Sequence, residues 1–427
     1  VYEVTEDGDL DKVAGEVYGN PSKSAVLQWS NPAYGTTGAS RVGNGVKKGE
    51  QLIIPGNPPP LRLTGKQPDD LTVLIGGLDI PQMSARIIRT MDTGTDGWTG
   101  RIAWVPGVDA GVDRVTRPFG YERAAAYIGN ELLVAGCLYM TEPEMTERGM
   151  TKGLHGFSFT ADAIDSHVQP PYEYNNVSLK QLADALTPPL GIKAVFTDEV
   201  LADAQIAFPR VTSHERDSIF TFLAKLATQR GILVSSTPQG DLFFLRANTE
   251  GKPVGTLQEK EPMVVGWKAR YDGRKRFYAY KCITSGAKQG AVLQWDNPGH
   301  GAPSGKAGPS LVISYDKTIP RSRFITFHAD DTVPGNIHNA ARWKRNKQFV
   351  EALTHEFPVT DWYAPNGKLW EPNTLVTVIS PTLGVPDGYN FLIRQIEFIL
   401  DDKRRTAMLS LVPPNAYSEK DIGLVWT

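Results

Sequence analysis

Seven histidines and two cysteines are the groups from which this 427-residue chain could build a metal centre or a nucleophile. The histidines (His155, His167, His214, His300, His328, His338 and His355) are scattered. None forms H-E-x-x-H, and no pair stands four apart beside a carboxylate, the spacing that sets two zinc ligands on one helix face. His328 precedes Asp330 and Asp331, a strand-end run that reads as loop solvation. Cys137 and Cys282 each sit inside an apolar strand-like run (LLVAGCLYM and FYAYKCI), which predicts buried thiols. Neither stands near a helix N-terminus that would make it a nucleophile. The chain has no G-x-S-x-G elbow, no Walker loop and no G-x-G-x-x-G between strand and helix. Gly35, Gly38, Gly43 and Gly45 lie in a glycine-rich loop, but it runs into a strand and lacks the helix dipole that holds phosphate. Asp162 and Asp165 lie three apart in a turn and read as caps rather than an acid–base pair, while Asp79-Ile80-Pro81 and Asp92 to Gly97 read as turn chemistry. These residues point away from an enzyme. No catalytic, cofactor-binding or metal-ligating residue is expected.

The elements that would position any other function are many and short. A chain of this length suggests about three or four domains. With 41% hydrophobic and 22% charged residues it reads as a soluble folded protein, and its 41 glycines and 31 prolines fit numerous strands and turns. A net charge of −2 gives no global pull toward nucleic acid or anionic membrane. The basic clusters at Arg270 to Lys281 and Arg342 to Lys347 lack an associated motif and read as solvated or interface faces. The start has no basic stretch followed by an apolar one, and apolar runs stay far below the ~20 residues of a membrane span. Folding in a cytoplasm is the expectation.

In chain order, residues 1–56 read as β-α-α-β, from VYEV to the closing VKKGEQLIIPG. Residues 57–70 (NPPPLRLTGKQPDD) form a proline-stiffened linker. Residues 71–165 hold strand-like runs separated by Gly, Pro and Asp, a small β-barrel in prospect. Residues 166–250 read as an α+β unit. Its first helix has Ser178 as N-cap, Gln181 three residues later, Leu179, Leu182, Ala183 and Leu186 on one face, and Pro188-Pro189 as the stop. Its second helix spans about Asp217 to Arg230 with Ile219, Leu223, Leu226 and Ala227 inward, and ILVSSTPQGDLFFLR reads as a hairpin. Residues 251–427 form a second barrel with an inserted helix at about 336–354, closed by the hairpin FLIRQIEFILD/RTAMLSLVPP. The fold class is thus mainly β, with an α+β module. One repeat stands out: AVLQWSNP at 25–32 and AVLQWDNP at 291–298.

Two resemblances go further. G-D-L after the first strand, Y-G-N, and K-x-G-E-x-L-x-I-P at the end make residues 1–56 similar to a LysM domain. That implies a groove or docking face drawing on Asp7, Gly8, Asp9 and Leu10 and on Asn31 and Pro32. Docking to a neighbouring protein is preferred to binding peptidoglycan. The rest of the chain, roughly 71–417, resembles the baseplate hub proteins of contractile-tailed phages. The resemblance rests on G-x-S-x-T-A-D-x-I-D-S from Gly156, the S-L-x-x-L-A helix, HERDSIFTFLAKLATQRGILV, W-x-P-N-x-L-V-x-V from Trp370 and the P-x-A-Y ending at Tyr417. It implies a homotrimer in which two barrels per chain give a pseudo-sixfold ring between the tail tube protein and a central spike protein. Such a ring would pass DNA through its bore without specific nucleic-acid binding. The LysM-like unit would dock a baseplate wedge or tape-measure protein. The implied location is the virion tail baseplate, after assembly in the host bacterial cytoplasm. The alternative is a tail protein that binds or hydrolyses host peptidoglycan. A type VI secretion spike ranks lower, since no tandem β-helix repeat is present to build its needle.

Overall fold

The structure is a computed structural model. It describes residues 69–147, 149–284, 311–329, 334–401 and 405–418, together with residue 67 and four two-residue strands near the start. Most of the LysM-like unit, residues 57–66 of the linker and both copies of the AVLQW repeat lie outside the described residues. Within 1–56, Tyr2–Glu3 pairs antiparallel with Gln51–Leu52, and Gly8–Asp9 pairs antiparallel with Gly45–Val46.

Most of the chain is organised by one sheet of thirteen strands. Its first half is built by Leu71–Ile75, Leu78–Asp79, Ser84–Thr90, Gly97–Ala103, Arg123–Ile128, Glu131–Thr146 and Gly149–Ser158. The second half contributes Thr256–Gln258, Lys268–Tyr271, Leu353–Val359, Leu375–Ser380, Val385–Leu400 and Arg405–Val412. The halves join edge to edge where Ser84–Thr90 runs antiparallel to Val385–Leu400, with Ala85 opposite Leu400 and Thr90 opposite Gln395. From there the strand order leads out to Leu78–Asp79 at one end and Lys268–Tyr271 at the other. Alternation selects the core face: in Ser84–Thr90, Ala85 and Ile87 are buried while Arg86 is exposed. A single apolar cluster spans both halves, from Val73, Ile87, Trp98 and Leu154 to Trp362, Trp370, Phe391, Phe398 and Leu409. The closing hairpin forms as its alternation predicts, Val385–Leu400 against Arg405–Val412.

Between the halves lies the α+β module, with its own core of Leu182, Phe208, Phe222, Leu226, Val234 and Phe244 among others. Its first helix, Leu179–Leu186, carries the predicted capping box: Ser178 Oγ accepts from the Gln181 N–H at 3.2 Å and Gln181 Oε1 accepts from the Ser178 N–H at 2.9 Å. Ser178→Ala is expected to cost about 1 kcal/mol, measured as a shift in the urea midpoint at unchanged slope. The second helix, Ile219–Thr228, buries Ile219, Leu223, Leu226 and Ala227 as expected, and Phe222 with them. The hairpin Leu233–Ser236/Leu242–Leu245 takes Ala194–Phe196 as a parallel third strand. Two elements carry no apolar pattern in sequence. The strand Glu173–Ser178 pairs with Ala207–Thr212, and the short helix Asp198–Gln205 buries only Val200 and Ala204.

The second half also holds an insert. Ala279–Thr284 lies between Leu311–Tyr315, antiparallel, and Phe324–Ala329, parallel. This three-stranded sheet packs on the helix Pro334–Ala352 through Cys282, Val312, Phe327 and Ala341. These three strands belong to the insert's sheet and not to the thirteen-stranded one.

Candidate assembly surfaces

The segment from Gly156 to Asp165 joins the first half of the sheet to the α+β module, and several of its residues have a physical task. A Cβ on Gly156 would lie 2.2 Å from Trp98 Nε1, so only glycine lets the buried indole close on this strand. Ser158 Oγ bonds Thr95 Oγ1 at 2.9 Å, accepts from Ser236 Oγ at 3.2 Å and bonds Thr160 Oγ1. Ser235 Oγ donates to the Thr90 carbonyl at 2.7 Å. These hydroxyls tie the module's hairpin to the barrel strands. Asp162, expected as a cap, lies in the first turn of the helix Ala161–Asp165 and accepts from Tyr139 Oη at 2.7 Å.

Asp92 to Gly97 does more than turn the chain. Asp92 Oδ2 accepts from Arg394 Nε at 3.0 Å and from Tyr417 Oη at 2.6 Å. One nearly buried carboxylate thereby binds the turn of the first half to the long strand of the second and to the P-x-A-Y ending, where Ala416 and Tyr417 are buried. Asp96 is also buried. Its Oδ1 accepts from the Thr90 N–H at 2.9 Å and its Oδ2 lies 3.5 Å from Arg89 Nε. Burial outweighs the arginine and pushes the Asp96 carboxyl up to about 6. The unfolded chain gives up this proton near pH 3.8, the folded one near 6. Stability from this group is therefore highest at low pH, falls as pH rises between those values and stays reduced above them. Asp96→Asn, which keeps an acceptor for Thr90, is expected to remove this slope. The stability of the wild type relative to the variant should decline by about 2 kcal/mol from pH 4 to pH 7, read by urea unfolding across that range. The slope is the readout, because the variant also leaves Arg89 without its partner.

Several large apolar side chains are exposed. Phe119 and Tyr121 stand out at 85% and 58% exposure, on the loop that follows the helix Ala110–Val115. This region is braced: Asp113 accepts from Trp104 Nε1 at 2.6 Å and from the Gly107 N–H at 2.7 Å. Lys152 Nζ lies 3.7 Å from the centre of the Trp104 ring and donates to Thr116 Oγ1 at 3.0 Å. The bonds from Trp104 and Gly107 hold the Asp113 carboxyl below the usual range. Met140 and Met145 are exposed on the outer half of the hairpin Glu131–Thr146/Gly149–Ser158. On the second half, Val265, Tyr271 and Phe324 are exposed, and Lys281 Nζ lies 4.2 Å from the centre of the Phe324 ring.

Of the groove residues expected in the LysM-like unit, Asp7, Leu10, Asn31 and Pro32 lie outside the described residues, and Gly8 and Asp9 are placed as backbone in a short strand pair. Among the described residues, no group of three or more His, Cys, Asp or Glu is placed to hold a metal ion. Cys137 is half-buried and Cys282 buried; both thiols are free, and burial pushes each up to about 12. Among the described residues no helix is long and apolar enough to cross a membrane. Asp92 and Asp96, read as turn chemistry, and Tyr417, marked only by its motif, are the anchors whose contacts sequence reasoning missed.

Comparison with known proteins agrees with this architecture. Residues 160–246 match the family model "Baseplate hub protein gp44-like, second domain", and residues 334–420 match "Mu phage baseplate assembly protein GpP, fourth domain". The baseplate hub protein gp44 of Escherichia phage Mu is 24% identical over 278 residues, 65% of this chain and 70% of that protein. Among solved structures, the 43 kDa tail protein of prophage MuSo2 from Shewanella oneidensis is 24% identical with a TM-score of 0.65, covering 82% of this chain and 99% of its own. A tail protein from Neisseria meningitidis is 16% identical with a TM-score of 0.66, covering 81% of this chain and 97% of its own. Two baseplate-protein domain matches in order, a hub protein as relative and a shared fold make the chain similar to phage tail proteins of the baseplate hub kind.

Proposed function

We propose that three copies of this chain form a closed ring at the tail baseplate, joining the tail tube to a central spike and letting DNA pass. The observation that carries this reading is the edge-to-edge join of Ser84–Thr90 with Val385–Leu400. It makes the two β halves of each chain one rigid unit, so three chains offer six β units in a ring. A ring of that kind meets sixfold and threefold neighbours on its two faces. A net charge of −2 suits a bore that must not retain DNA. The chain assembles in the host cytoplasm and acts in the virion, as a structural part without catalysis. The LysM-like unit docks a neighbouring tail protein, swung on the proline-rich linker.

Native mass by light scattering over a range of concentration tests the ring. Three times the 46.8 kDa chain mass is the expected result. A single-chain mass at every concentration, also in the presence of co-expressed tube and spike proteins, would sink it. For the LysM-like unit, retention by insoluble peptidoglycan in a pull-down would replace docking with wall binding.

A further inference from the structure

The two ends of the strand order carry unlike surfaces. Near Leu78–Asp79, which the helix Ala110–Val115 packs against, Phe119 and Tyr121 adopt φ of 58° and 49°. A left-handed backbone is costly for an aromatic residue, and strain of this kind is kept where the surroundings over-determine it. The surroundings here are firm. Arg117 pairs with Glu122 at 3.7 Å, and the Tyr121 ring meets Tyr139 edge-on at 6.0 Å. Two aromatic rings are thus held out into water on a preformed knob.

At the other end, just after Lys268–Tyr271, an open cleft of about 570 Å³ separates the start of the insert from the end of its helix and the turn at Leu383. Tyr271, Phe349, Leu353 and Leu383 make it apolar, and the Arg276 guanidinium lies 4.8 Å from the Phe349 ring centre while pairing with Asp316 at 2.6 Å. The charges around the two surfaces are opposite in balance. Arg270, Arg274, Lys275 and Arg276 outnumber Asp272, Asp316 and Glu259 at the cleft, whereas Asp79, Asp109, Asp113 and Glu122 outnumber Arg114, Arg117 and Lys152 at the knob.

Resting on the ring reading above, we propose that the Phe119/Tyr121 knob of one copy seats in the Tyr271–Leu383 cleft of the next. The two patches differ, so the contact is head-to-tail. Repeated around a rotation axis it closes a ring in which first and second halves alternate, the arrangement three chains need to offer six β units. Aromatic anchors in a pocket rimmed by arginine are the side chains that dominate such interfaces.

Two variants of the full chain test this. Asn tolerates the left-handed region that Phe119 occupies, so Phe119→Asn should leave the unfolding midpoint of the isolated chain unchanged or raised. It should also raise the concentration at which trimers dissociate by roughly thirtyfold, a combination that simple misfolding does not produce. A second chain carries Phe119→Cys with Gly273→Cys, where a new Cβ meets nothing within 4 Å. Air oxidation should link three copies on a non-reducing gel, while the parent chain with only its native thiols should give no linked species. Trimers that neither respond to Phe119→Asn nor cross-link would overturn this contact and leave the ring standing. A disulfide formed within one chain would overturn it too. A wild type that stays a single chain and a double variant that gives no linked species would remove the contact and the ring together.

Discussion

Replacing Asp92 by Ala is expected to cost about 3 kcal/mol, the low end of the range for breaking a buried ionic contact. The side chain is only 7% exposed and takes hydrogen bonds from both Arg394 and Tyr417. Its removal leaves a guanidinium and a phenol facing an apolar seam, and Arg394, about one-third exposed, recovers part of the loss by turning to water. Tyr417→Phe removes one donor and should cost less, about 1–2 kcal/mol. Adding Arg394→Met to Asp92→Ala should recover a large share of the loss, because the penalty lies in the unpaired charge. Urea unfolding of the three variants separates these terms. Equal and additive losses would mean that the triad is not a unit. Because Asp92 joins the two halves, its loss should also broaden the transition, the halves then unfolding at separate midpoints.

The second large effect is expected at Gly156. Alanine there would drive its methyl to 2.2 Å from Trp98 Nε1 and 2.3 Å from Cε2. Trp98 is buried to 1% exposure among Ile87, Ile102 and Leu154, so it has no room to withdraw. We expect a loss of about 3 kcal/mol, the upper end for overpacking in a close-packed core. Trp98→Phe on its own should also destabilise, through the cavity it leaves. Combined with Gly156→Ala it should be better tolerated than the sum of the two, since the smaller ring vacates the space the methyl needs. A double-mutant cycle by thermal unfolding checks this, and strict additivity would show that Trp98 is not the obstacle.

Legibility from sequence followed the range of the interactions. The capping box at Ser178 and Gln181, the inward face of Ile219–Thr228 and the closing hairpin were readable because their partners lie within a few residues or across a single turn. The hub resemblance was readable because its motifs are runs of neighbours. Structure then supplied the cause of two of them: Gly156 yields to Trp98, and Tyr417 reaches Asp92. The strand Glu173–Ser178 and the helix Asp198–Gln205 were not readable. Their burial is slight, and they are held by the strand Ala207–Thr212 and by the module core rather than by an apolar period of their own.

By itself, then, the sequence determined the class of the molecule: many strands, one α+β module and the ordered motifs that resemble a tail hub. Tertiary structure alone decided what Asp92 and Asp96 are for, since Arg394 stands 302 residues from Asp92 along the chain and no local pattern encodes that meeting. It alone revealed that the two halves share one sheet and that Phe119 and Tyr121 face water on a strained loop. The physical reason is common to all three. Pairing of distant edges, burial of a charge and retention of backbone strain depend on free energies summed over contacts far apart in sequence, which a chain expresses only once it has folded.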